Sequence, residues 1–189
     1  GVMTNNRFHF GVGVSPWYED FLATGERWEK RGKRMDEQIE ILKGLMNGEY
    51  FAYKGEFYDI PELKLCPAPT KPVPILIGGH SKLALKRAAR VGDGWISAGL
   101  SLDETKSLID QINEFRDEFG TLDHPNYQFQ VMGEAAYSPE GIKQLEELGV
   151  TEVIVAFRNT YEGGPDERTL ESMIAEINWY AEEVINKSN

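Results

Sequence analysis

The stretch PILIGGHS, residues 74–81, decides the fold class of this chain. It opens with a short run that is apolar on both faces, and Ile75, Leu76 and Ile77 favour a strand buried inside a parallel sheet. Two glycines then end the strand, and Ser81 is a typical N-cap for the helical spacing that follows. A strand that leads through a glycine turn into a helix predicts one βα unit of an α/β protein.

The same rhythm recurs along the chain and gives five units. We predict five strands, each followed by a stretch of helical spacing, at residues 8–14, 74–79, 94–97, 127–136 and 152–157. Ser101 with Glu104 forms a capping box, and Ser138 is followed by a proline at the first helical position. An amphipathic helix over residues 170–184 closes the chain. Units of roughly 36 residues are close to the size of a βαβ module.

One segment departs from this rhythm. Residues 49–58 predict a hairpin that turns at Lys54 and Gly55, and residues 66–74 contain four of the nine prolines. A proline-rich stretch cannot pair in the centre of a sheet, so we expect it to cross the surface as a stiff link. We interpret residues 48–73 as an insertion within a single domain of residues 1–189. A domain boundary at this place is the alternative.

Composition restricts the class of protein. The chain has 189 residues, of which 41% are hydrophobic, enough for one sizeable core. Its 20 Lys and Arg against 31 Asp and Glu give a net charge of -11, which disfavours nucleic acid and anionic membrane as partners. No apolar run approaches the roughly 20 residues of a membrane span. The single cysteine, Cys66, cannot form an internal disulfide, and we expect a globular cytoplasmic protein.

The loop Gly78-Gly79-His80-Ser81 is the most specific candidate site. Ligands of parallel α/β sheets gather at the carboxyl ends of the strands, where this loop lies. Its glycines allow close approach to the backbone, and the free amides of a helix N-terminus suit a phosphate. Lys82, Lys86 and Arg87 follow in the first turns and predict additional positive charge. The alternative is a tight turn with Ser81 acting only as a cap.

Other strand ends carry weaker signals. Residues 13–20 follow the first predicted strand, residues 97–99 follow the third, and Arg158-Asn159 follows the fifth. The glycines near residue 13 do not complete a dinucleotide fingerprint, because Pro16 stands where the third glycine belongs.

Three further patterns favour structural roles. The histidines His9, His80 and His124 have no cysteine or carboxylate at ligand spacing, so we expect no metal site. We predict that His124 is solvated. The mixed charges of residues 26–34 favour a salt-bridged helix face over a binding patch.

Several segments match a known family in the same order over about 90 residues. They are NRFHFGVGV at 6–14, EKRGKRMDE at 29–37, GEFY at 55–58, PAP at 67–69, PILIGGHS at 74–81 and AARVGDGW at 88–95. These segments resemble the central part of the bacterial-luciferase-like monooxygenases, and in particular the branch that uses the deazaflavin coenzyme F420.

The resemblance implies an oxidoreductase with a (β/α)8 barrel whose cofactor lies at the carboxyl ends of the strands. It places the cofactor phosphate at Gly78, Gly79, His80 and Ser81, and the ring or its ribityl chain at Gly13, Val14 and Ser15. We expect coenzyme F420 and hydride transfer to or from a small-molecule substrate, with FMN and monooxygenation as the alternative. No residue is identified as catalytic. Asp93-Gly94-Trp95 is expected to be structural.

The count of units departs from the family. A full barrel needs about 250 residues and eight strands, and the segment at residues 6–14 resembles the fourth strand. We therefore expect a truncated barrel that lacks three units. Because the open sheet exposes apolar surface, we also expect a homo-oligomer. The alternatives are a naturally shortened, non-catalytic relative that acts as an oligomerising or ligand-binding module, and an unrelated phosphosugar-binding domain with the same loop.

Overall fold

A computed structural model of the protein describes residues 1–158 and 164–188. The described strands are β1 (Phe10–Val12), β2 (Phe51–Lys54), β3 (Asp59–Leu63), β4 (Ile75–Gly78), β5 (Gly94–Ile96), β6 (Gln128–Val131) and β7 (Glu152–Val153). The helices are α1 (Tyr18–Thr24), α2 (Arg31–Met46), α3 (Lys82–Val91), α4 (Leu102–Phe119), α5 (Pro139–Glu147), α6 (Leu170–Tyr180) and α7 (Asn186–Ser188). A 3-10 helix covers Glu134–Tyr137, and a π-helical turn covers Ala181–Ile185.

Five strands form one parallel sheet in the order β1-β4-β5-β6-β7, and β2 pairs with β3 separately. Each strand of the large sheet pairs with the next one along the chain, as in Phe10 opposite Ile75 and Ile77 opposite Trp95. Within the described residues the sheet is open, with β1 and β7 at its edges. Five consecutive parallel strands in sequential order form part of a (β/α)8 barrel. The predicted α/β fold class, a partial barrel of five units, is confirmed.

The core lies where the predicted apolar strands meet their helices. Ile75, Leu76 and Ile77 of β4 are at most 1% exposed, which explains why this strand is apolar on both faces. The helices begin where their caps predict. The hydroxyls of Ser81 and Ser138 accept backbone N–H groups three residues further on, and the capping box that starts at Ser101 is complete.

Two predicted strands are shorter than their sequences indicate. The prediction for residues 127–136 is wrong at its end, because the chain after Val131 turns into the 3-10 helix. A Cβ on Gly133 would lie 2.3 Å from the carbonyl oxygen of Leu100, so the chain at Gly133 passes very close to its neighbour. In the predicted strand 152–157, the Tyr137 hydroxyl accepts the N–H of Ala156 and donates to the carbonyl oxygen of Ala156. These bonds take the place of strand-to-strand hydrogen bonds at Ala156, so β7 is shorter than predicted.

The predicted hairpin is present as β2 and β3, although its turn lies at residues 55–58, where Gly55 N–H bonds the carbonyl of Tyr58 at 2.8 Å. The Glu37 carboxylate of α2 accepts the backbone N–H groups of Glu56, Phe57 and Tyr58 at 2.7 to 3.3 Å. The proline-rich link forms no helix or strand in residues 66–74. That residues 1–189 form a single domain with an insertion at 48–73 stays a prediction.

The predicted closing helix is present as α6 and the π turn, but its apolar stripe faces two directions. Tyr180 and Val184 are buried, whereas Leu170, Ile174 and Ile177 are 72%, 48% and 55% exposed.

The described part of the chain contains no helix that is both long and apolar enough to cross a membrane.

Candidate functional site

The two loops predicted to hold a cofactor lie side by side at the carboxyl end of the sheet. A Cβ on Gly13 would lie 3.7 Å from the carbonyl oxygen of Gly78 and 3.8 Å from its Cα. This approach follows from the pairing of β1 with β4, which ends at Val12 opposite Ile77. The structure therefore brings residues 13–15 next to the loop of residues 78–81, as the sequence predicts.

The loop after β4 has the backbone of an anion site. Gly79 has a φ of +118°, a conformation that a residue with a Cβ rarely adopts. The Ser81 hydroxyl accepts the N–H of Ala84, and the N–H groups of Lys82 and Leu83 have no acceptor within the helix. These two amides are the ones that an oxyanion at the helix N-terminus would use.

His80 joins this loop to the next strand end. Its Nε2 accepts the N–H of Ala98 at 3.4 Å, and its ring lies 6.1 Å from the fully buried ring of Trp95. Trp95 in turn donates its indole N–H to the carbonyl oxygen of Gly79 at 2.9 Å. An imidazole that accepts at Nε2 carries its proton on Nδ1 when it is neutral. His80 is exposed, so its side chain is accessible to a ligand.

The acid near His80, Glu104, is already hydrogen-bonded to Ser101. The backbone N–H and hydroxyl of Ser101 lower the pKa of the Glu104 carboxyl, with a smaller contribution from the charge of His80. Glu104 is thus held as a carboxylate in its capping box rather than kept as a proton donor.

Two of the three cations predicted behind the loop are paired with acids on other helices, so the prediction of additional positive charge is wrong for Lys86 and Arg87. Arg87 bonds Asp36 of α2 at 2.6 Å, and Lys86 pairs with Glu118 of α4 at 3.6 Å. The Lys82 ammonium lies over the Phe115 ring. Residues one and two turns into a helix point at the neighbouring helices, which explains why these cations leave the loop.

A cavity of about 800 Å³ opens beside β1, between α1, α2 and the hairpin. Residues 13–15 line it, but residues 78–81 do not. The Ser15 hydroxyl is used within its own loop, donating to Asp20 at 2.5 Å and accepting the N–H of Trp17 at 3.1 Å. The other apolar lining residues include Phe10, Val12, Phe21, Met35, Ile39, Ile41, Leu42 and Ile60.

Two cavity residues were missed by sequence reasoning. Arg31 and Arg34 lie in the charged run of residues 26–34, which predicted a salt-bridged helix face rather than a binding patch. Helix α2 begins only at Arg31, and both arginines line the cavity. The Arg34 side chain is only 13% exposed. The one sequence signal was Trp28, a large aromatic within a charged run.

The amino end of the sheet has a structural role. Asp93 accepts the N–H of Ile75 at Oδ2 and donates its own N–H to the carbonyl of Ile75, both at 2.8 Å. His124 is exposed, as predicted, and its Nε2 also lies 3.3 Å from the other Asp93 oxygen. Asp93 thus joins β4 to β5 at the end opposite the candidate site, which agrees with its predicted structural role.

The remaining strand end is organised by ion pairs. Arg168 bonds Asp166 at 2.9 Å, Glu176 at 2.8 Å and the carbonyl of Phe157. Arg158 lies 3.6 Å from Asp166. Asn159, which sequence analysis placed at this end, lies outside the described residues. In residues 1–158 and 164–188 no three His, Cys, Asp or Glu side chains form a group that could hold a metal ion.

The chain is similar in sequence to proteins of one known family. The sequence model of the luciferase-like monooxygenases matches residues 2–138. An uncharacterized protein of Mycobacterium tuberculosis (strain ATCC 25618 / H37Rv) is 46% identical over 98% of this chain, and the chain spans 64% of that relative's length.

Two relatives with named activities are similar over about half of this chain. The FMNH(2)-dependent dimethylsulfone monooxygenase of Pseudomonas fluorescens is 34% identical over 58% of this chain and 31% of its own. The F420-dependent glucose-6-phosphate dehydrogenase of Amycolatopsis mediterranei is 29% identical over 50% of this chain and 29% of its own.

The fold is also found among solved structures. The coenzyme F420 dependent tetrahydromethanopterin reductase of Methanopyrus kandleri superposes with a TM-score of 0.70 over 96% of this chain and 74% of its own, at 14% identity. The sequence match covers well over half of the chain, and the parallel sheet agrees with this structural neighbour. The chain therefore belongs to the luciferase-like monooxygenase family.

Proposed function

We propose that this chain carries the cofactor phosphate site of a deazaflavin- or flavin-dependent oxidoreductase that acts on a small molecule. The observation that supports it most directly is the loop of residues 78–81. Gly79 has a φ that favours glycine, Ser81 caps the helix, and the adjoining Gly13 leaves open backbone beside them. A phosphate would meet the free amides of Lys82 and Leu83.

The residues present fit the cofactor without cationic side chains. Helix N-termini bind phosphates through backbone N–H groups and the helix dipole, so the paired state of Lys86 and Arg87 does not count against the site. Residues 13–15 would lie along the ring or its ribityl chain, on the wall of the cavity. When bound, the cofactor supplies the redox chemistry, and the protein positions it and excludes water.

We favour coenzyme F420 over FMN, and hydride transfer over oxygenation. Relatives of both kinds are known, so the preference rests on the sequence motifs that resemble the F420 branch. The exposed apolar residues Leu170, Ile174 and Ile177 of α6 support a homo-oligomer, since apolar surface of this kind is usually covered.

A parallel titration tests the proposal. The purified chain is titrated with coenzyme F420 and with FMN, while fluorescence and elution volume are followed together. Micromolar binding of F420 in preference to FMN is expected. Preference for FMN would overturn the choice of cofactor. If a folded oligomer binds neither, the chain is a ligand-free or oligomerising relative and the proposed function is wrong.

A further inference from the structure

The cavity beside β1 contains a cation that the described protein does not neutralise. Arg31 lines the cavity, and its Nε is buried without a hydrogen-bond partner. Among residues 1–158 and 164–188, no side chain or carbonyl forms an ion pair or hydrogen bond with the Arg31 guanidinium. The Trp28 ring stacks on the guanidinium and accounts for the burial of Nε, whereas the two terminal nitrogens are not among the buried unsatisfied atoms and remain available to a ligand.

The neighbouring charges are already paired. Arg34, which lines the same cavity, lies 3.7 Å from Glu26 and donates to the carbonyl of Glu29 at 3.3 Å. Asp20, the other acid of the lining, accepts the Ser15 hydroxyl at 2.5 Å. Arg31 is therefore the lining charge that is left for a ligand.

An aromatic platform holds Arg31 in place. Its guanidinium carbon lies 3.5 Å from the centroid of the Trp28 ring, the distance of a close cation–π stack. The edges of Trp28 are packed by Tyr18 and Phe21 of α1, at centroid distances of 5.7 and 5.1 Å. A guanidinium stacked in this way keeps its terminal N–H groups free and loses little entropy when it binds an anion.

The rest of the cavity lining favours a ligand whose main part is apolar. A volume of about 800 Å³ suits a small ligand, and Val12, Met35, Ile39 and Leu42 contribute apolar surface. Opposite them the Tyr58 hydroxyl accepts Gln38 Nε2 at 2.7 Å, so this polar pair satisfies itself. The planar fork of a guanidinium matches a carboxylate through two parallel hydrogen bonds.

We propose that this cavity binds a small organic acid, with its carboxylate on the edge of Arg31 and its apolar body against β1 and α2. The further statement that this acid is the substrate rests on the proposed function, because residues 13–15 line the cavity and Gly13 lies beside Gly78 of the proposed cofactor loop. As a binding site it stands on the cavity and Arg31 alone.

Calorimetric titration without cofactor tests the site. The full chain is titrated with hexanoate, 1-hexanol and inorganic phosphate, and the same is done for Arg31→Gln, Arg31→Lys and Lys33→Gln. Lys33 is exposed and lies outside the lining, so its variant removes an equal charge from the same helix turn.

Hexanoate is expected to bind about tenfold more tightly than 1-hexanol, and Arg31→Gln is expected to abolish that difference. Arg31→Lys keeps the charge but loses the fork, so hexanoate affinity should fall by about three- to fivefold. Lys33→Gln should change it by less than about twofold.

Four results would overturn the inference: no binding of hexanoate, equal binding of acid and alcohol, Arg31-dependent binding of phosphate that is tighter than that of hexanoate, or an equal loss in Lys33→Gln. The cofactor titration is run separately. Failure of cofactor binding with Arg31-dependent binding of hexanoate contradicts only the proposed function, and the reverse result contradicts only the acid site.

Discussion

The indole N–H of Trp95 bonds the carbonyl oxygen of Gly79 across 2.9 Å, from a side chain that is fully buried to a loop at the carboxyl end of the sheet. This bond ties the core of β5 to the conformation of the candidate phosphate loop.

Trp95→Phe should therefore weaken both stability and binding. Loss of the hydrogen bond and of packed volume is expected to lower the free energy of unfolding by about 2 kcal/mol. Urea unfolding and the cofactor titration check this. Trp179→Phe is the control, since Trp179 is 50% exposed. An equal effect of the two substitutions would contradict the role of Trp95.

Gly79→Ala tests the backbone of the loop. A Cβ at this position would meet the Cβ of Ala84 at 3.1 Å, in addition to the strain of a φ of +118°. We expect a loss of about 2 to 3 kcal/mol and a weakened cofactor affinity. Gly120→Ala has a φ of +67° and open space around the new Cβ, so its loss should be nearer 1 kcal/mol. Thermal melts and titrations of both variants measure the difference.

His80→Ala should weaken cofactor binding about fivefold, since it removes the acceptor of the Ala98 N–H and a side chain beside the phosphate loop. His124→Ala is the matched control. His124 contacts Asp93 at the amino end of the sheet, so its loss can lower stability but should leave cofactor affinity unchanged. Unchanged affinity in His80→Ala would remove His80 from the proposed site.

Glu37→Gln tests the anchor of the hairpin. One carboxylate accepts three consecutive backbone N–H groups, and an amide offers one oxygen in place of two. The free energy of unfolding should fall by about 2 kcal/mol. Amide hydrogen exchange at Glu56, Phe57 and Tyr58 should speed up, with Glu114→Gln on exposed α4 as the control. Unaltered exchange at these three amides would show that the hairpin is held by other contacts.

Asp166 predicts a pH dependence in the acid range. Its hydrogen bonds from Arg168 lower the pKa of the carboxyl from 3.8 to about 2. The folded state thus favours the ionised form, and the resulting stability is present above the ordinary pKa and is lost as the pH falls towards 2. Asp166→Asn should be less stable than the parent at neutral pH, with the gap closing between pH 3.8 and 2. Urea unfolding across this range measures the gap, and Asp123→Asn, which replaces an exposed aspartate, is the control. A gap of undiminished size at pH 2 would contradict the assignment.

Much of the fold could be predicted because its signals are local. A run such as Ile75-Leu76-Ile77 is apolar on both faces only when helices or neighbouring strands cover it, and serine caps mark the starts of α3, α4 and α5. The errors arose where a distant group takes over a backbone position. The Tyr137 hydroxyl ends the last strand, and Leu100 passes against Gly133. Neither contact has a signal in the local pattern.

The candidate site was predicted in part for the same reason. The glycines and the cap of residues 78–81 can be identified in the sequence. The cavity, in contrast, depends on how α2 and the hairpin lie against β1. The charged run of residues 26–34 does not indicate which of its arginines forms an ion pair with an acidic side chain. Only the structure separates Arg34, which is paired, from Arg31, which is not.

The sequential strand order also has a consequence for synthesis. Each of β5, β6 and β7 finds its partner in the strand made just before it, so these units can dock as they leave the ribosome. The pairing of β4 with β1 is different, because α1, α2 and the hairpin must be made in between. The entropy of closing that long segment makes β1–β4 the slowest pairing to nucleate. The nascent chain can thus form the Gly13–Gly78 contact, and with it the candidate cofactor site, only after α1, α2 and the hairpin have been made.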